Sequence, residues 1–108
     1  MVVRGSDVPD GGAIFWTQGE GKEAFRLIVL RSGQQVFGYV NRCAHFGVPL
    51  AEKLGQLIFR PHESISCNVH YARYGWRDGR CVSGECDGVG LMPVPLIVDG
   101  DSVRIAFA

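Results

Sequence analysis

Residues 24–41, AFRLIVLRSGQQVFGYVN, contain the clearest fold signal in this sequence. Two apolar runs, Ala24–Arg31 and Gln35–Asn41, are separated by the short segment Ser32–Gln34, which contains a glycine. Aliphatic and aromatic residues of this kind favour β-strands, and a short loop with glycine favours a hairpin between them. The stretch therefore predicts a pair of antiparallel strands.

The same alternation of short apolar segments and turns continues on both sides of this hairpin, punctuated by 15 glycines and 5 prolines. Further strands are predicted at Ala13–Gln18, Leu57–Arg60, Ser64–Ser66, Arg73–Trp76, Cys81–Val82, Val94–Val98 and Ser102–Phe107. Turns are predicted at Pro61–Glu63, Asp78-Gly79 and Asp99–Asp101. Only Val48–Leu54 is compatible with one or two helical turns, so the chain is predicted to be all-β.

Length and charge narrow the possible functions. A chain of 108 residues predicts one domain, covering 1–108. Eleven basic and eleven acidic residues give a net charge of zero, which argues against a nucleic-acid partner. The longest apolar run, Leu27–Leu30, is too short to span a membrane, and Met1–Asp7 lacks the apolar segment of a signal peptide. We expect a soluble cytoplasmic protein without a membrane partner.

Two short motifs carry the chemistry: Cys43-Ala44-His45 and Cys67-Asn68-Val69-His70, each following a predicted strand. Thiolate and imidazole ligands suit zinc, copper and iron–sulfur centres. Two such motifs in one small chain favour a metal site over cysteines and histidines that only fill the core. A zinc site could use the same four ligands. However, a zinc finger usually has its two cysteines before its two histidines, whereas here the two residue types alternate.

This alternation, Cys-x-His followed by Cys-x-x-His, resembles the Rieske ferredoxin family. The similarity extends from about Ile14 to Ala106 and includes Val48–Leu50, Ile65–Cys67, Tyr74, Asp78-Gly79, Gly84–Gly88 and Pro93-Val94. The sequence departs from the family pattern at Asn68 and Tyr71, where Pro and Gly are usual, and at Gly84-Glu85, where Gly-Pro is common. None of these departures removes a ligand.

The resemblance implies a Rieske-like antiparallel β-sandwich or barrel with a small cluster-binding subdomain at one end. Its cluster-binding loops would lie at about 42–50, 66–74 and 83–88. One [2Fe–2S] cluster would be held by Cys43 and Cys67 on one iron and by His45 and His70 on the other.

The implied function is that of a soluble one-electron carrier that is not itself an enzyme. It would be the ferredoxin of a multicomponent oxygenase acting on aromatic rings. Its partners would be a flavoprotein or other reductase, which supplies electrons, and a terminal oxygenase, which receives them. Two alternatives remain at this point: a Rieske-like small subunit of an assimilatory reductase, and a structural zinc module for protein interaction.

The resemblance also suggests roles for residues around the cluster. Phe46 and Tyr71 directly follow the two ligand histidines, so we expect them to flank the imidazole edges, and we expect Cys86 near the cluster. Two interpretations of Tyr74 are open: a hydrogen bond from its hydroxyl to a cysteine sulfur, or packing in the core. Ala72 stands where high-potential members of the family have a serine, which predicts a potential in the lower half of the Rieske range of about −150 to +300 mV.

Charged and cysteine residues outside the ligand set have simpler predicted roles. Arg42 and Arg73, with Arg77 and Arg80 nearby in sequence, predict a basic rim for docking an acidic partner. Cys81 and Cys86 are predicted to be small buried side chains and not a disulfide, because the cytoplasm is reducing. His62 is predicted to be an exposed residue without a role.

Overall fold

In the computed structural model, residues 2–18, 25–42, 50–51, 53–67, 72–83 and 90–106 are described, and they form 11 β-strands with two short 3₁₀ turns, Gly5–Asp7 and Leu54–Gln56. The strands are β1 (Val2–Arg4), β2 (Ala13–Gln18), β3 (Phe25–Ser32), β4 (Gln35–Val40), β5 (Ile58–Arg60), β6 (Ser64–Ser66), β7 (Arg73–Gly75), β8 (Cys81–Ser83), β9 (Pro93–Val94), β10 (Leu96–Asp99) and β11 (Ser102–Ile105).

The strands pair into three antiparallel sheets, which confirms the predicted all-β fold. A central sheet has the order β2-β3-β4-β9, a second sheet the order β5-β6-β7-β8, and a third sheet the order β1-β11-β10. Every pair in these sheets is antiparallel.

Strand β3 is buried on both faces and organises the core. Because side chains alternate between the two faces of a strand, its apolar run is divided between two hydrophobic clusters. Ile28 and Leu30 belong to the first core, which also contains residues of the second sheet and of the segments around it. Leu27 and Val29 belong to the second core, which reaches β11. The members of the first core are Ala13, Ile28, Leu30, Tyr39, Leu50, Ala51, Leu57, Ile65, Cys67, Ala72, Tyr74, Trp76 and Leu91.

Most predicted strands are present, and β2 and β6 have the predicted bounds. The hairpins β3–β4, β7–β8 and β10–β11 turn at glycines with positive φ: Gly33 at 62°, Gly79 at 71° and Gly100 at 61°. Glycine adopts this backbone region without the steric penalty of a Cβ atom. The turn signals therefore identified these three hairpins correctly.

The prediction of one strand at Val94–Val98 is wrong, because the segment is divided at Pro95. Its first part is β9, which pairs with β4 in the central sheet, and its second part is β10, which pairs with β11 in the third sheet. Proline has no N–H to donate to a ladder, so the chain can leave one sheet there and enter another.

Two smaller elements remain: one strand that was not predicted, and one predicted helical segment that lies partly outside the described residues. Strand β1 was not predicted, since three residues give no readable pattern; it is held by pairing with β11. Of the predicted helical turns at Val48–Leu54, residues 48, 49 and 52 lie outside the described residues; Leu54 begins the 3₁₀ turn Leu54–Gln56, and the other described residues of this segment are not helical. No helix within the described ranges is long and apolar enough to cross a membrane.

Candidate metal centre

Of the four predicted ligands, Cys67 lies within the described residues, whereas Cys43, His45 and His70 lie outside them. The predicted neighbours Phe46, Tyr71 and Cys86 also lie outside. The geometry of the site is therefore seen in the residues at which each predicted loop leaves and rejoins the sheets.

The first predicted loop is closed at its base by the side chain of Asn41, directly after β4. Asn41 is 7% exposed. Its Oδ1 accepts a hydrogen bond from the backbone N–H of Leu50 at 2.9 Å, and its Nδ2 donates to the carbonyl of Ala51 at 2.9 Å. The chain thus leaves the central sheet at residue 42 and returns to the same point at residue 50.

The second predicted loop is closed by the main chain. Strands β6 and β7 pair through Ser66 and Arg73, and the N–H of Cys67 donates to the carbonyl of Ala72 at 2.8 Å. The side chain of Cys67 has no exposed surface. A thiol at this position stands at the entrance of the loop that carries the rest of the second motif.

The third predicted loop follows β8 and is also closed by the main chain. Arg80 and Gly90 form an antiparallel bridge, and the N–H of Leu91 donates to the carbonyl of Gly79 at 2.8 Å. Ser83 and Gly90 are thus the described residues on either side of this loop.

The bases of all three loops share one buried cluster. The first core contains Leu50 and Ala51 from the first loop base, Cys67 and Ala72 from the second, and Leu91 beside the third. The strands and turns therefore bring three segments that are distant in sequence to one place.

The chemistry of this place fits an iron–sulfur cluster. An uncompensated thiolate is costly to bury, and binding to a metal would compensate the charge of a buried thiolate at Cys67. Two thiolates and two imidazoles are the ligand set of a Rieske centre. Among the described residues there is no group of three or more His, Cys, Asp or Glu that could hold a metal ion. The predicted set shares only Cys67 with those residues, so this finding leaves it untested.

Tyr74, predicted to lie near the cluster, has no exposed surface and belongs to the same core. On β7 it pairs with Ile65 on one side and with Cys81 on the other. Its neighbours in the sheet are therefore the strand that leads into Cys67 and the strand that leads into the third loop.

The predicted basic rim is only partly supported by the positions of the arginines. Arg42 is exposed directly before the first loop, and Arg73 is half-buried at the base of the second. Arg77, in contrast, donates hydrogen bonds to Gln35 and Ser32 at the β3–β4 turn. Because β4 runs about 20 Å from that turn to the first loop, Arg77 does not belong to the rim.

Of two predictions about residues outside the ligand set, the one for Cys81 is wrong and the exposure predicted for His62 is confirmed. Cys81 is half-buried and disulfide-bonded, and its partner cysteine lies outside the described residues. The prediction of an unpaired Cys81 relied on a reducing compartment, whereas pairing also depends on which thiols the fold brings close. His62 is exposed as predicted, but it has a contact: its Nδ1 lies 2.7 Å from the hydroxyl of Ser32.

Sequence reasoning also missed Asn41. The available signal was a polar residue at the end of an apolar strand, two positions before the first motif. This pattern indicates only the end of a strand. The hydrogen-bond partners of the side chain, Leu50 and Ala51, are brought close by the fold and cannot be identified from the local sequence.

Comparison with known structures gives the same fold. The ferredoxin of carbazole 1,9a-dioxygenase from Nocardioides aromaticivorans IC177 has a TM-score of 0.74 at 21% identity, covering 97% of this chain and 93% of that one. A complex of reduced oxygenase and oxidized ferredoxin in carbazole 1,9a-dioxygenase contains a chain with a TM-score of 0.74 at 24% identity, covering 97% of this chain and 89% of that one.

The terminal oxygenase of carbazole 1,9a-dioxygenase from Novosphingobium sp. KA1 has a TM-score of 0.75 at 21% identity, covering 96% of this chain but only 28% of the oxygenase. A search of curated proteins finds no match. The model of the Rieske [2Fe–2S] domain matches residues 1–95, which confirms the resemblance and the predicted cofactor. This chain therefore belongs to the Rieske [2Fe–2S] domain family.

Proposed function

We propose that this chain is a one-electron carrier whose [2Fe–2S] cluster is held by Cys43 and Cys67 on one iron and by His45 and His70 on the other. The family match and the burial of Cys67 support this ligand set. When bound, the cluster accepts and returns one electron at a time, at a potential raised by the two neutral imidazoles.

The described residues around the loop bases would give the cluster a dry, apolar support. Leu50, Ala51 and Ala72 are each at most 2% exposed, so water is excluded from the side facing the first core. The N–H of Cys67 is already bonded to the carbonyl of Ala72, which fixes the backbone that presents the thiol. A rigid support of this kind lowers the structural change needed between oxidation states.

The observation that carries the functional proposal is the nearly complete mutual coverage with the carbazole dioxygenase ferredoxin, 97% of this chain and 93% of that one. In the same kind of system an oxidized ferredoxin forms a complex with a reduced oxygenase. We therefore assign this chain the role of ferredoxin in a multicomponent oxygenase acting on aromatic rings. It transforms no substrate itself, and residues 1–108 form one Rieske domain.

The proposed partners are a flavoprotein reductase and a terminal oxygenase, which this carrier meets in turn in the cytoplasm. Arg42 and Arg73 stand beside the first and second loop bases, where they would form the docking rim. Because each encounter must be brief, we expect an interface smaller than about 1,200 Å².

The first test is the composition of the purified protein. We expect about two iron and two acid-labile sulfide per chain, a visible spectrum, and an EPR signal after reduction with dithionite. Bound zinc with a colourless protein would instead support a structural zinc module.

The second test is electron transfer by the loaded protein. It should be reduced by a flavoprotein reductase with NADH or NADPH and reoxidised by a terminal oxygenase in the presence of an aromatic substrate and oxygen. A reducible cluster that no ring-hydroxylating oxygenase can reoxidise would refute the oxygenase role and favour the small subunit of an assimilatory reductase.

A further inference from the structure

The side chain of Asn41 joins the two ends of the first loop at its base. On one side, Asn41 is fixed by its own backbone: its N–H donates to the carbonyl of Arg26 at 2.8 Å. On the other side, its amide holds Leu50 and Ala51, which are 0% and 2% exposed in the first core. The loop between them therefore starts and ends at defined positions.

The backbone around Asn41 also directs the chain sharply into this loop. The N–H of Val40, the last residue of β4, donates to the carbonyl of Met92 at 2.9 Å, which extends the β4–β9 pairing by one residue before β9. The N–H of Arg42 donates back to the carbonyl of Val40 at 2.8 Å, so the chain turns at Asn41 itself. Cys43 follows two residues later.

The first loop differs from the other two in how it is closed. Cys67 and Ala72 close the second loop by a backbone bond, and the Arg80–Gly90 bridge closes the third. Within the described residues, only the first loop depends on a side chain for closure. A substitution at Asn41 can therefore open this loop without changing a backbone ladder.

Among side chains of this length, only an amide can both accept a hydrogen bond from Leu50 and donate one to Ala51. Leu50 presents an N–H, which needs an acceptor, and Ala51 presents a carbonyl, which needs a donor. A carboxylate would satisfy the first and place a second oxygen against the carbonyl of Ala51, while an aliphatic side chain would satisfy neither. Both buried backbone groups would then be left without a partner at a cost in free energy.

From this geometry we propose that Asn41 is a positioning residue for the cluster: its amide sets the placement of the ligand pair Cys43 and His45. The proposal rests on the proposed function, since it requires these two residues to be ligands. It predicts that changes at residue 41 alter the electronic properties and retention of the cluster, beyond any effect on global stability.

The test compares Asn41→Asp and Asn41→Leu with the matched control Tyr39→Phe. Tyr39 lies on β4, two residues before Asn41, and is 2% exposed. It donates one buried hydrogen bond of 2.9 Å to the carbonyl of Trp76, which is not part of the base of the first loop. For each loaded protein, the EPR g-values, the midpoint potential, the rate of iron release to a chelator and the free energy of unfolding are measured.

Both variants of Asn41 should shift the g-values and the potential and release iron about tenfold faster or more, which is the effect of losing about one buried hydrogen bond. Tyr39→Phe should leave these three readouts as in the wild type while losing similar global stability. A variant at Asn41 that folds with its sheets intact but retains no cluster would also support the proposal.

Three results would overturn it. The first is g-values, potential and release rate that match the wild type in both variants of Asn41. The second is equal changes in Tyr39→Phe. The third is loss of the whole fold in both variants of Asn41 but not in the control, since Asn41 would then hold the domain and not one loop. Failure of the wild-type protein to bind iron and sulfide would instead refute the proposed function, before any variant is compared.

Discussion

Replacing Tyr39 by Phe tests how strongly the central sheet depends on one buried hydroxyl for its contact with the β7–β8 turn. Tyr39 is 2% exposed, and its Oη donates to the carbonyl of Trp76 at 2.9 Å. Removal of the hydroxyl leaves that carbonyl without this donor in a buried position. We therefore expect Tyr39→Phe to lower the free energy of unfolding by about 1–2 kcal/mol at neutral pH.

The same hydroxyl should make stability depend on alkaline pH. The pKa of Tyr39 is raised from 10.0 to about 12, first because burial disfavours the phenolate and second because the carboxylate of Asp78 is close. Between these two values the unfolded chain loses the proton while the folded chain keeps it. The stabilisation is therefore complete below pH 10 and is lost as the pH rises toward 12, by up to about 3 kcal/mol.

The assay is urea unfolding of the loaded wild type and of Tyr39→Phe at several values from pH 8 to about pH 11.5. The two proteins share every other titrating group, so their difference isolates Tyr39. The wild type should be more stable at pH 8, and its advantage should shrink and then vanish as the pH rises. An advantage that stays constant over this range would refute the assignment of the raised pKa to this buried hydroxyl.

Three further predictions concern single positions. Ala72→Ser should raise the midpoint potential by several tens of mV if the new hydroxyl donates to a cluster sulfur, since about 1 kcal/mol corresponds to about 40 mV for one electron. An unchanged or lower potential in redox titration would contradict the family resemblance on which this prediction rests. Gly79→Ala should destabilise the protein more than Gly33→Ala in urea unfolding. Both glycines have positive φ. However, a Cβ at residue 79 would lie 2.8 Å from the ring of Tyr39, whereas a Cβ at residue 33 would meet nothing within 4 Å. Equal losses would show that the ring moves aside. Arg42→Glu should slow reduction by the partner reductase by a factor on the order of 3 at low salt, whereas the exposed Arg104→Glu on β11 should not; equal rates in stopped-flow reduction would refute the basic rim.

The sequence was sufficient to predict those elements whose structure depends on neighbouring residues in the chain. Apolar alternation and glycine turns identified the β3–β4 hairpin, and the bounds of β6 were correct. The division at Pro95 was missed because the apolar pattern continues across it, and only the competition between two sheets for partners makes the chain change sheet there. The pairing of Cys81 was missed for a similar reason, since it depends on proximity in three dimensions.

Within the candidate site, the ligand residues could be predicted from the sequence, whereas the hydrogen bonds that hold the ligand loops in place could not. The motifs containing Cys43 and Cys67 stand out by spacing alone. The hydrogen bonds of Asn41, in contrast, join residues nine and ten positions apart, and no local propensity predicts such a pair. Short motifs therefore indicate which residues bind the metal, whereas the positions of these motifs in the fold depend on contacts between segments that are distant in sequence.

The same reasoning explains why the loop bases meet in one place. The turns at the other ends of the strands are locked together: Ser32, in the β3–β4 turn, lies 2.7 Å from Nδ1 of His62 in the β5–β6 turn and accepts a hydrogen bond from Arg77 after β7. From these joined turns, β4 leads to the first loop and β6 leads directly to Cys67. A strand has a fixed rise per residue, so the lengths of β4 and β6 set how far each loop base lies from these joined turns. The contact at His62 therefore lies before β6, at the end of this strand opposite Cys67.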